Sequence, residues 1–534
     1  MAETLADDAL IETLSQILGR AGVATGADAR ALYAQDVWTE GAPIDAVISP
    51  RSEEQCAAAV RACTEAGVPV YPRGGGMSYT KGYLADRPGG VVVDTAAMDK
   101  VVEINASDMY VRVQAGCTWK TLHEALKPTG LRPPFWGPLS GISSTVGGGV
   151  SQNNAFFGAS AHGPTADSVL SVSVALASGE ILRTGTASGE TPEGAARPFF
   201  RHYGPDLTGL FCGDCGALGV KTEVTLRLAP APAHERRGSF SFTDRDACAR
   251  AVAALGRTGL ACELFAFDPG LTQVRMKRAS LASDAKTFGK VVTGQKNLVK
   301  GLAEGAKMAL AGRNFLGEAD FNLHFVTESH SEAGANDAYR TLAKLCEAEG
   351  GTSVEPTIPK VIRAAPFTPL NNMIGPNAER WVPVHGIVPM SAGPAVWAEI
   401  DALFAQLAGR FEAHGVTTGF LLTTLSTTGY LIEPVFLWPD RLFALHEASV
   451  EQDYLGKLTP RPEDPAATDL VAEAREKVVE IFVRHGAAHF QVGRTYPLAA
   501  TRSAPALALL KAVKAALDPQ NLINPGALGL GDRP

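Results

Sequence analysis

Five side chains sit in apolar stretches where acid, base or anion-binding groups are unexpected: His385, Tyr430, Glu433, His489 and Arg494. A guanidinium in a dry site offers fixed charge and a rigid fork of donors, so Arg494 is a candidate to hold a substrate anion or a developing negative charge. Glu433 lies in "YLIEPVF", and a carboxylate in such a run needs a partner, because an unpaired buried charge is costly. Arg494 or a protonated His489 would serve; the plainer role for Glu433 is to cap a turn before Pro434. Strand alternation puts Tyr430 and Ile432 on one face and Leu431 and Glu433 on the other. His385 stands alone in an apolar run and is either a hydrogen-bonded core residue or a substrate contact. Together His385, Glu433 and His489 have the two-histidine, one-carboxylate composition that metals accept. No ligand spacing supports that grouping, and no metal is assigned.

Two glycine clusters raise a different chemistry. The first is Pro72, Arg73, Gly74, Gly75, Gly76, Met77 and Ser78, directly after the compact apolar run "GVPVYP". The second is "GISSTVGGGVSQNN", with Ser144 and Thr145 before Gly147, Gly148 and Gly149 and Asn153 after them. Glycine lets another group approach the backbone closely, and successive N–H groups in such turns converge on anions. Two such segments, flanked by hydroxyl and amide side chains, suit a diphosphate neutralised without many Lys or Arg. Neither has the GxGxxG spacing of a Rossmann nicotinamide site, and there is no GxxxxGK[ST].

The elements that must position these residues read as α+β. "DAVISP" and "VPVYP" are strands around a helix, "SEEQCAAAVRACTEAG", capped by Ser52. "GVVVDTAAM", "YVRVQAG" and "ALGVKTEVTLRLAP" are further strands, and "WKTLHEALKPTG" is a helix closed by glycine. The chain's 534 residues exceed one ordinary core. The proline-rich "LAPAPAHERRG" marks a boundary near residue 231, followed by a second α+β region. With 46% hydrophobic and 19% charged residues the chain reads as soluble and globular. A net charge of −8 argues against general nucleic-acid binding. The acidic, amphipathic "MAETLADDALIETL" lacks the pattern of a secretory signal, and the eight scattered cysteines suit reduced thiols, so the expected location is cytoplasmic. Cys212 and Cys215 form one CxxC, without a second pair for zinc.

The glycine pair "YPRGGGMSYTKGY" and "STVGGGVSQN", followed by "GEILRTG", "HYGPDLTGLFCGDCGALGVKTEVTLRLAP" and "LDPQNLINPG", resembles the FAD-linked oxidase superfamily, most closely the vanillyl-alcohol oxidase and p-cresol methylhydroxylase branch. The resemblance implies a helical segment (1–40), a two-lobed FAD-binding domain of the p-cresol methylhydroxylase type (41–230), a cap with an antiparallel sheet (231–490) and a C-terminal segment (491–534) returning to the FAD domain. It implies FAD at the two glycine turns and at Pro138, Gly219, Val220, Arg494 and Asn524, with the flavin ring at the domain junction. It places Tyr79 against substrate or flavin, and "AERWVPVHGIVPMSAG", which holds His385, resembles the family's strand motif of Trp, Pro and Val that lines the active site. The branch's phenolate-holding Tyr-Arg pair is not intact: one alignment gives Phe490-Gln491, and a shifted one keeps Arg494 without the tyrosine. The 2-hydroxy-acid dehydrogenases' metal histidines are also replaced. Met77 occupies the position of a flavin-linking histidine, leaving His123, His162 and His385 as formal candidates for a covalent bond.

The leading expectation is therefore oxidation of an aromatic alcohol, an alkylphenol or a similar small hydroxylated substrate, with hydride transfer to FAD. The alternatives are a metal-independent 2-hydroxy-acid dehydrogenase and a flavin-binding scaffold without turnover. The electron acceptor (oxygen, a quinone or a cytochrome) is open, and a homodimer is the family expectation. Residues 273–313 carry nine Lys or Arg against two acids. Lys296, Lys300 and Lys307 share one helical side, which reads as a solvated cap helix or as a weak docking face for an anionic membrane or acidic partner.

Overall fold

A computed structural model describes residues 6–192, 194–278 and 320–530. Nearly all of the basic 273–313 stretch, including Lys296, Lys300 and Lys307, lies outside the described residues. Among the described residues no helix is long and apolar enough to cross a membrane.

Three sheets organise the chain, and its fold class is α+β. The first is four-stranded, in the order Val23–Ala24, Ala46–Ile48, Val91–Asp94, Val70–Arg73. Its three longer strands run parallel, and the central one, Val91–Asp94, is buried throughout, as a parallel strand covered on both faces must be. The helix Glu53–Glu65 starts at Ser52, whose side chain accepts from Gln55 N. It buries Cys56, Val60 and Cys63, spaced four and three apart, in the same cluster as these strands. The second sheet is antiparallel, in the order Val101–Asn105, Tyr110–Gln114, Val220–Arg227, Val169–Ala175, Ile181–Arg183. These two sheets form the two lobes that carry the glycine turns.

The third sheet is eight-stranded and antiparallel, built from strands between His234 and Pro439. Its alternation decides what reaches the site. Leu264, Ala266, Leu422, Tyr430 and Ile432 point into one core with the helices Arg245–Gly256 and Gly393–Ala413. Their neighbours Phe265, Phe267 and Leu421 turn to the opposite face, against Trp136, Phe156 and Phe157 of the second lobe. Leu431 and Glu433 follow the same opposite face and open onto a cavity. The C-terminal segment packs on the first sheet: Val70 N donates to Leu522 O (2.8 Å), and Asn524 N to Val70 O (2.7 Å).

A buried ionic cluster fastens cap to lobe. Arg132 pairs with Glu328, and Arg363 reaches Glu328, Glu263 (3.1 Å) and Glu235 (2.8 Å). Glu263 also accepts from the Gly158 backbone N–H at 3.1 Å. Arg363 belongs to the helix Thr357–Ala364, so the cluster fixes the one helix whose Ile358, Val361 and Ile362 wall the cavity.

Candidate functional site

The cavity has a volume of about 990 Å³ and runs between the glycine turns and the cap sheet, at the upper end for small-molecule and cofactor sites. Residues 72–78 line one end, with Pro138, Ser144, Thr145, residues 147–149, Gly219 and Val220. The glycines are required by packing as well as by approach. A Cβ on Gly75 would run into the Ser143 carbonyl, and one on Gly74 into the Thr145 hydroxyl. Gly76 is left-handed (φ 70°), and its carbonyl accepts from the Tyr83 hydroxyl at 2.8 Å. The second cluster is the opening turn of the helix Val146–Gln152, where Thr145 is the N-cap and accepts from Gly148 N at 3.1 Å.

Three predicted cofactor residues lie elsewhere. Asn153 caps that helix in the left-handed region (φ 50°) and accepts from Ala166 N with its side-chain oxygen, 2.9 Å away. Asn524 is buried and donates to the Gly82 and Cys215 carbonyls at 2.8 and 2.6 Å. Arg494 donates to the carbonyls of Lys81 (2.7 Å) and Pro525 (2.5 Å) and to the Asn524 side chain (2.8 Å). Asn524 and Arg494 thus clamp the C-terminal segment to the loop after the first glycine turn, and neither they nor Asn153 line the cavity. The expected anion-holding role of Arg494 is corrected accordingly: its two terminal nitrogens are spent on the Lys81, Gly82 and Pro525 carbonyls and the Asn524 side chain, away from the cavity.

At the cap end three polar groups meet. The Tyr79 hydroxyl donates to Glu433 (3.3 Å) and accepts from the Gln491 amide (3.3 Å). Burial first, and then the Glu433 charge, hold the Tyr79 hydroxyl well above its ordinary pKa, so it stays protonated. The Tyr79 backbone is pinned from behind. Its carbonyl accepts from the Trp38 indole at 3.0 Å and from Arg475 at 3.4 Å, and its ring meets Trp381 edge-on at 5.9 Å. Gln491 takes a left-handed backbone (φ 49°), unusual for a residue with a Cβ. Its N–H donates to Gln152 O at 2.7 Å, which ties it to the end of the glycine helix.

Tyr430, His385 and His489 are the other corrections. Tyr430 is fully buried on the helix-facing side, and its hydroxyl reaches only the Ala249 carbonyl at 3.4 Å. His385 uses both ring nitrogens, one to the Phe490 carbonyl (2.7 Å) and one to the Tyr496 hydroxyl (3.0 Å). Burial pushes its pKa well below the usual histidine range. His489 bonds the His385 carbonyl at 2.8 Å and stacks on Tyr496 at 4.0 Å, and burial lowers its pKa to about 4. These two histidines are neutral packing groups behind the cavity wall, and neither approaches Glu433 as a ligand set would require. Among the described residues no group of three or more His, Cys, Asp or Glu could hold a metal.

Sequence reasoning left Trp381, Phe490 and Gln491 out of the site, though all three line the cavity. The alignment that set Phe490-Gln491 against the branch's Tyr-Arg pair was the signal for two of them. Met77 lines the cavity, whereas His123, His162 and His385 do not. Cys215 also lines it, but burial raises its thiol to about 12. Its sulfur accepts from Gly493 N at 3.1 Å, and all eight cysteines are free. The CxxC spacing belongs to a turn.

Residues 44–185 match the family described as FAD binding domain, and residues 461–528 match the C-terminal domain of the FAD linked oxidases. The chain belongs to the FAD-linked oxidase superfamily. Sequence relatives include a mitochondrial D-lactate dehydrogenase (cytochrome) of Arabidopsis thaliana, 34% identical over 40% of this chain and 35% of that protein. A glycolate oxidase subunit of Bacillus subtilis is 31% identical over 45% of this chain and 49% of its own length. The matches thus span about a third to a half of the relatives' length. A p-cresol methylhydroxylase structure with substrate bound shares the fold, with a TM-score of 0.72 and 16% identity, over 98% of this chain and 97% of that one. An alkyldihydroxyacetonephosphate synthase gives 0.66 at 13% identity, over 97% and 84%. FAD is the cofactor, and the residues present fit it. The two glycine turns present bare backbone to the cavity, and the buried Arg73 Nε beside it lacks a protein partner.

Proposed function

We propose that this FAD-linked oxidoreductase oxidises a small hydroxylated substrate, of the aromatic-alcohol or alkylphenol type, at the cap end of the cavity. The observation that carries the reading is the meeting of Tyr79, Glu433 and Gln491 around one hydroxyl, in the cavity that the glycine turns line. These three come from separate parts of the chain, a convergence that packing alone does not require. FAD held at residues 72–78 and 144–149 supplies a hydride acceptor when bound. Glu433 takes up the substrate's hydroxyl proton as the C–H bond is given up. Tyr79, kept protonated, fixes the orientation of the Glu433 carboxylate, and Gln491 fixes Tyr79. Trp381, Phe490 and Leu431 surround these groups with apolar surface and exclude water.

A 2-hydroxy-acid dehydrogenase is the second reading, favoured by the D-lactate and glycolate enzymes among the relatives. It needs a cation for the carboxylate, and Arg494 does not supply one. Anaerobic mixing of the yellow protein with a panel of aromatic alcohols, alkylphenols and 2-hydroxy acids tests the choice. Bleaching of the flavin by the first two groups is expected. Bleaching by 2-hydroxy acids alone would replace the proposal with the second reading.

A further inference from the structure

Access to the cavity is concentrated at one place on its wall. Among the described lining residues the exposed ones are Thr368, Pro369 and Asn372, while the others are buried or half-buried. The mouth therefore lies on the segment 365–373. That segment runs from the helix Thr357–Ala364, which walls the cavity, through the turn Leu370–Met373 toward the strand Glu379–Pro383, which carries Trp381.

The segment is anchored at both ends. Arg363 sits in the buried ionic cluster, and Asn371 donates to the Glu451 carboxylate (2.9 Å) and accepts from the Glu451 N–H (3.2 Å). Ala365 N closes the last helical turn on Val361 O at 3.1 Å. Beyond it Pro366 and Pro369 have no N–H to give. Between the anchors the Phe367 ring crosses to the second lobe. It meets His123, Trp136 and Phe157 edge-on at 5.7, 6.1 and 5.9 Å. The notch that takes the ring exists because two lobe residues lack side chains. A Cβ on Gly141 would overlap the ring, and one on Gly137 would come within 3.0 Å of it. Phe367 is half-buried and is not a lining residue, so its ring holds the segment down without shaping the cavity. A ring held by edge contacts leaves and returns without breaking a polar network.

We infer that residues 365–370 are a lid over the mouth of the cavity, latched by Phe367 in its notch, and that small substrates enter when the ring leaves it. The lid rests on the proposed reading of the cavity as the reaction site, but serves whichever substrate is oxidised there. Hydrogen-exchange mass spectrometry of the FAD-loaded protein without substrate reads the latch. Phe367→Ala empties the notch and Gly141→Ala fills it. Both should speed exchange in residues 364–374, where Ala365 and Ile374 carry hydrogen-bonded amides, by on the order of tenfold or more, with residues 72–78 unchanged. The entrance is tested by plugging it. Thr368→Cys is labelled with a bulky maleimide, and identically treated wild type controls for the native thiols. Flavin reduction by the fastest-bleaching compound of the panel, at low concentration, should fall about tenfold or more against the unlabelled variant, with FAD content unchanged. Unaltered exchange in both notch variants overturns the latch, and labelled protein reduced as fast as unlabelled overturns the entrance. If no compound bleaches the flavin, the proposed reaction fails while the exchange measurement still decides the lid.

Discussion

At the glycine end of the cavity recognition is made from backbone, whereas at the cap end it is made from side chains. Residues 72–78 and 144–149 approach closely because Gly74 and Gly75 carry no Cβ to strike Thr145 and Ser143, and their N–H groups suit a diphosphate whatever the surrounding charge. Tyr79, Glu433 and Gln491 come together only because a loop, a cap strand and a strained residue near the C-terminus are each held by separate anchors. The first end tolerates almost no change of residue and carries little substrate information. The second can be altered one functional group at a time, and there specificity and proton handling are decided.

The largest way to break this comparison is at Gly75. Gly75→Val sets branched carbons against the Ser143 carbonyl and should abolish FAD retention, measured as flavin per protein after denaturation. Gly148→Ala is the sharper control. Its Cβ would meet Thr145 Oγ1 at 3.0 Å and otherwise only Gly74 Cα at 3.8 Å, so the protein should fold while FAD binds more weakly. Equal FAD content in both variants would remove the cradle assignment.

Next in size is the fastening of cap to lobe. Arg363→Met leaves Glu263 and Glu328, both nearly inaccessible, without their shared cation, which should cost about 3–5 kcal/mol in denaturant unfolding. Arg494→Lys should cost about 1–3 kcal/mol by giving up donors to buried carbonyls. The rate of flavin reduction per bound FAD should be unchanged, because Arg494 clamps the C-terminal segment and does not face the cavity. A large loss of that rate in Arg494→Lys would return the residue to the site. Smallest is Tyr79→Phe, which removes one neutral hydroxyl worth about 0.5–1.5 kcal/mol and should slow reduction by a few-fold to about tenfold, read in single-turnover mixing.

The same contrast explains what the sequence made legible. The glycine turns are visible in the chain because a local backbone requirement excludes other residues whatever packs on top. Alternation along residues 430–433 correctly separated Leu431 and Glu433 from Tyr430 and Ile432, since a strand's period does not depend on its partners. His385, His489 and Arg494 were misread for the converse reason. Their chemistry is general, and whether it faces a cavity or a buried carbonyl depends on elements far along the chain, such as Tyr496 for His385 and Pro525 for Arg494. Trp381 was signalled only through the strand motif of the resemblance, because a tryptophan in a strand otherwise reads as core until the opposite wall is known. The helix Thr357–Ala364 is in the same position: its apolar side is turned to the cavity by Arg363 and three distant carboxylates.

Glu433→Gln, assayed for FAD content and single-turnover reduction in one preparation, addresses the central claim that the two ends do separable work. FAD content should match the wild type, since Glu433 lies outside the glycine cradle. Anaerobic reduction by the best bleaching alcohol should slow by about 10²–10⁴-fold, the range for loss of a positioned base. Reduction at the wild-type rate with FAD fully bound would contradict the account, and so would loss of FAD together with the rate.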